Sequence, residues 1–105
     1  MNRYTELSDL EINKRVFVAA KIEHEDTDLH SNKAFYGDGA KWIEFNPCNN
    51  PSDAMPIIIE NEISMIKNSG GWMCCHGSVG QVEHESLYRG AMELFLMMKD
   101  TENNQ

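Results

Sequence analysis

Residues 86–99 read SLYRGAMELFLMMK. Leu87, Ala91, Leu94, Phe95 and Met98 recur at helical spacing, and Tyr88, Met92 and Leu96 widen the same face. Arg89 and Glu93, joined by Asp100, form the polar edge. Ser86 is suited to cap the start, so the spacing predicts a helix over residues 87–99. An apolar face this wide needs a sheet beneath it. Upstream, residues 62–66 (EISMI) and 72–76 (WMCCH) read as strands across a KNSGG turn, and residues 81–84 can supply another. The pattern predicts an α+β fold: a small antiparallel sheet of three to five strands, with three helices mainly on one face.

Outward from that core, Leu7-Ser8-Asp9-Leu10-Glu11-Ile12 carries the signature of a capping box. Ser8 faces Glu11 three residues on, and Leu7 with Ile12 makes the matching staple. A helix is predicted over Asp9–Ala19, its inner stripe Ile12, Val16 and Ala19 or Ala20, although Val16-Phe17-Val18 is β-prone. Residues 23–33 are charged and aperiodic and read as a solvated loop. Ala34-Phe35-Tyr36 and Lys41-Trp42-Ile43-Glu44-Phe45 flank Gly37-Asp38-Gly39 as a hairpin. Ile43 and Phe45 then share one face, with Trp42 and Glu44 on the other. In NPCNNPSDAMP, Asp53 is read as the cap of a short helix over residues 54–60 ending at Asn61 in the left-handed region. Residues 1–99 form one α+β domain and residues 100–105 a frayed polar tail.

Nine Lys and Arg against seventeen Asp and Glu give a net charge of −8. That balance argues against direct binding to nucleic acid or to an anionic membrane. The chain has no apolar run long enough to span a bilayer and no apolar leader after Met1, so a cytoplasmic setting is expected. Three cysteines, two of them adjacent, fit reduced thiols rather than a disulfide framework.

LSDLEINKRV (residues 7–16), FNPCNNPSDAMPIIIENEIS (residues 45–64) and LYRGAMELFLMMK (residues 87–99) resemble the NinX-like family of small lambdoid phage proteins. Met55 stands where that family usually has an aromatic, and Gly90 where it has Ala. The resemblance implies an early accessory protein of a temperate phage, acting in the bacterial cytoplasm. It implies no catalytic residues.

The chemistry-bearing residues are few. Cys74, Cys75 and His76, with His84 or Cys48, could be imagined around a zinc ion. Adjacent cysteines on a strand point to opposite faces, so no metal or other cofactor is expected. Cys48, just before a helix, could be a thiol nucleophile if one of His24, His30, His76 or His84 served as its base. The corner of Cys48, Asn49, Asn50 and Asp53 is the candidate partner-binding site. Short polar side chains at such a corner also bond their own backbone. The acids could mimic DNA phosphates, but they are scattered rather than massed on one face. The expectation is a non-enzymatic module that binds an unidentified host or phage protein. Trp42, Trp72, Phe35 and Tyr36 are expected in the core, or at an interface if a sheet face lies uncovered. Met97, on the polar edge of the last helix, raises the further expectation of a homodimer.

Overall fold

The structure, a computed structural model, describes residues 3–22, 27–28 and 33–103. Element order is α1 (Asp9–Ala19), β1 (Thr27–Asp28), β2 (Phe35–Asp38), β3 (Lys41–Glu44), α2 (Pro51–Glu60), β4 (Ser64–Lys67), β5 (Trp72–His76), β6 (Gly80–His84) and α3 (Leu87–Asn103). The fold is α+β, as the sequence predicts. Among the described residues the strands form two antiparallel sheets of three, β1-β2-β3 and β4-β5-β6, with α2 between them in the chain. Each sheet is a run of chain neighbours, so every pairing is local.

α3 is the axis of the packing. It lies against β5 and β6 and touches both α1 and α2. Cys74 and Val82 face each other across β5 and β6 and are buried beneath it. Ala91, Met92, Leu94, Phe95 and Leu96 share one core cluster with Ile12, Val16, Ala54, Ile57 and Ile58. Each large side chain buried in this way contributes about 1.5–3 kcal/mol. Gly90 permits the approach of α3 to the sheet: a Cβ there would sit 3.1 Å from the His84 Cβ and 3.4 Å from the Cys74 sulfur. The first sheet is tied in through aromatic rings. Phe17 meets Tyr36 at 5.6 Å and Phe45 at 5.4 Å between centroids.

α1 has the predicted bounds. The Ser8 hydroxyl accepts from the Glu11 N–H at 3.1 Å, and the β-prone residues stay helical because Val16 and Phe17 are buried. The hairpin turns at Gly39-Ala40, with Asp38 opposite Lys41. The loop expected over residues 23–33 contains β1, which pairs Thr27 with Tyr36 and Asp28 with Phe35. Its residues 23–26 and 29–32 lie outside the described residues.

α2 departs from expectation at both ends. It begins at Pro51, with Asn50 as cap, three residues before the predicted start. Pro at the first helical position loses nothing and has the right φ, which favours Asn50 over Asp53. Pro56 is therefore interior and forgoes its bond to the exposed Ser52 carbonyl. At the far end Asn61 is not left-handed; Glu62 is, at φ 56°. Glu62 N–H bonds to Ile59 C=O and Ile63 N–H to Ile58 C=O, a complete Schellman closure built without glycine. α3 continues four residues past Lys99, where the Asp100 carboxylate accepts from the Tyr4 hydroxyl and from Arg3.

Candidate functional site: the asparagine corner and its buried arginine

Between β3 and α2 the chain turns sharply, with Asn49 and Asn50 N–H both bonding to the Asn46 carbonyl. Asn46 is the hub. Its N–H donates to Asp53 Oδ2 at 2.9 Å, and its side-chain oxygen accepts from Asn13 at 2.8 Å and from Asn49 at 3.1 Å. Asn13, buried on α1, accepts the Cys48 N–H at 3.1 Å. Asn50 caps α2 through Ser52 N–H and donates to Asp53 at 3.2 Å. Asp53 is thus the partner of a turn N–H rather than the helix cap.

Asp9, in the first turn of α1, joins this corner to α3. One carboxylate oxygen accepts from Asn49 at 3.2 Å, the other from Arg89 at 2.7 Å. Arg89 is 6% exposed and Glu93 1% exposed. The polar edge predicted for α3 is therefore buried. The segment before α1 supplies two acceptors, the Tyr4 carbonyl at 3.0 Å and the Leu7 carbonyl at 2.7 Å, and Arg89 also donates to Glu93 of its own helix at 2.6 Å. Burial opposes the Arg89 charge, but the bonds to Asp9 and Glu93 outweigh it and raise its pKa. Sequence reasoning missed this role. The available signal was an opposite-charge pair at i,i+4 in a helix apolar almost all round.

A family model described as Bacteriophage P22, NinX matches residues 3–99. The chain belongs to this family. NinX membership makes it a phage accessory protein, and every residue of the corner, with Asp9, Asn13 and Arg89, lies in the matched span. No curated protein and no solved structure gives a significant match.

For this NinX protein the geometry gives Cys48 a structural part. The residue is 1% exposed, and its thiol points at the Asp9 carbonyl, 3.8 Å away. Burial, with Asp9 nearby, pushes the thiol up to about 12. A protonated, enclosed thiol is a poor nucleophile. His76 pairs with Ser78 and His84 accepts from Ser86 N–H, while His24 and His30 lie outside the described residues. Cys74 is buried and Cys75 half-buried on the opposite face of β5. Among the described residues no cluster of His, Cys, Asp or Glu is arranged to hold a metal ion, and no helix is long and apolar enough to cross a membrane.

The corner is chiefly a clasp, drawing the starts of α1 and α2 onto α3. Its outward parts are the exposed Asn49 and Asn50. Their side chains are already fixed by internal bonds, the pre-organisation a recognition surface needs.

Proposed function

We propose that this phage accessory protein is a non-enzymatic protein-binding module acting in the cytoplasm of the infected bacterium. The observation that supports it is the surface. Val18, Trp42, Ile59 and Ile66 are 65%, 56%, 68% and 49% exposed, although the interior is well enough packed to bury Arg89 and Glu93 in full hydrogen bonding. Single exposed apolar residues are ordinary. An open Trp on a sheet-edge strand is the residue type that anchors protein contacts, and β3 is such an edge. Phe35, Tyr36 and Trp72 are half-buried, so Trp42 is the aromatic that turns outward. Met97, the origin of the homodimer expectation, is half-buried against the core.

The test is site-specific photo-crosslinking during infection, with the reactive residue placed in turn at positions 18, 42, 49, 59 and 66. A discrete protein adduct at one or more positions is expected. Absence of any adduct above the unirradiated control at all five would refute the reading. An adduct of twice the chain mass would make the partner a second copy.

A further inference from the structure

The chain is strongly acidic, yet its cations are not evenly spread. A groove of about 600 Å³ runs between α1 and α3. Its apolar floor is Val18, Ala19 and Leu96. Arg3, Lys14, Arg15 and Lys99 stand around it, four of the chain's nine cationic residues, against Glu11 and Asp100 of its seventeen acids. Two of the cations are guanidiniums held over one ring: Arg3 lies 5.2 Å and Arg15 6.0 Å from the Tyr4 centroid. Tyr4 itself is anchored, its hydroxyl on Asp100. Arg3 also donates to Asp100, and Lys99 pairs with Glu102, so part of this charge is balanced within the chain. With Glu102 counted, the four cations still exceed the acids at the rim by one charge. Val18, 65% exposed, also lines a second cavity bounded by α2.

We infer that this groove binds an acidic amphipathic segment of a partner protein, its carboxylates on Arg3 and Arg15 and its apolar side chain on Val18, Ala19 and Leu96. The inference rests on the binding-module reading and names its surface and its ligand chemistry. Guanidinium forks match carboxylates in geometry as well as charge. On a chain of net charge −8, a local group of cations favours approach of an acidic partner from this side. The floor argues for protein over nucleic acid. Single strands need open rings to stack on, and the Tyr4 ring lining this groove is 3% exposed.

The experiment is selection of short random peptides on the full chain, followed by affinity measurement of the enriched sequences. Enriched peptides should carry net negative charge and at least one large apolar residue. Arg15→Glu and Val18→Glu, both at exposed positions that leave the core intact, should each weaken binding by about tenfold or more. Exchanging a peptide Glu for Lys should restore binding to the Arg15→Glu variant. Neutral or basic enriched peptides, insensitivity to both substitutions, or tighter binding of single-stranded DNA at the same groove would each overturn the inference. If infection yields an adduct at position 42 or 66 while position 18 gives none, the groove is wrong and the broader binding reading stands.

Discussion

Replacing Arg89 by Met keeps a long unbranched side chain beneath the segment before α1 and removes four hydrogen bonds. Two of these run to the Asp9 and Glu93 carboxylates and two to the Tyr4 and Leu7 carbonyls. Glu93, 1% exposed, then loses its guanidinium partner, and His84 Nε2 lies 4.0 Å from it. Removing one member of a buried ion pair costs about 3–5 kcal/mol. A chain of this size has a total stability of roughly 5–15 kcal/mol. Arg89→Met should therefore remove between about a fifth and all of it. In urea, with a slope near ~2 kcal/mol per molar, the midpoint falls by about 2 M. Circular dichroism reads this directly. The double variant Arg89→Met, Glu93→Leu removes the stranded charge as well and should be more stable than the single variant by about 1–3 kcal/mol. A single variant within about 1 kcal/mol of the parent, or a double variant less stable than the single one, would refute the assignment of Arg89 and Glu93 as a buried, mutually dependent pair.

Two further outcomes follow from named residues. The Cys48 thiol is held at about 12 in the folded chain, against about 8.5 when unfolded. The folded state therefore keeps its proton more tightly, and stability is full below the unfolded value and declines as pH rises from about 9 towards 12, by up to about 1.4 kcal/mol per unit. Cys48→Ala should flatten that decline in urea titrations, and in the parent a thiol reagent at neutral pH should label Cys75 before Cys48. Glu62, at φ 56° in the closure of α2, occupies a conformation that costs a side chain roughly 1 kcal/mol or more. Glu62→Gly should raise the thermal midpoint by several degrees, and a fall instead would show that the Glu side chain itself contributes there.

Much of the fold was readable because its signals are local. Ser8 and Glu11 fix the start of α1 within one turn, and Gly39 fixes the hairpin. The amphipathic period of α3 reports the sheet beneath it. What stayed hidden depended on distant chain. Asn50 and Asp53 are both good caps, and Pro51 at the first helical position favours the former, leaving Asp53 for the Asn46 N–H. Arg89 and Glu93 look like a solvated edge until the Tyr4 and Leu7 carbonyls arrive from more than 80 positions earlier. The corner of Cys48, Asn49, Asn50 and Asp53 was found by its composition. Its inward commitments were not legible, because Asn13 and Asp9 belong to another helix.

α3 touches both other helices and two strands of the second sheet, and it follows all of them in the chain. Tyr4 meets Arg89 and Asp100 across separations of 85 and 96 residues. At a synthesis rate of roughly 5–20 residues per second, the opening segment waits on the order of 4–19 s for its partners. Until then the faces of α1, α2 and the second sheet that pack on α3 lack that cover. Closure of the domain through these contacts therefore needs α3, and until that helix has been made the surfaces it covers are open to chaperones and proteases.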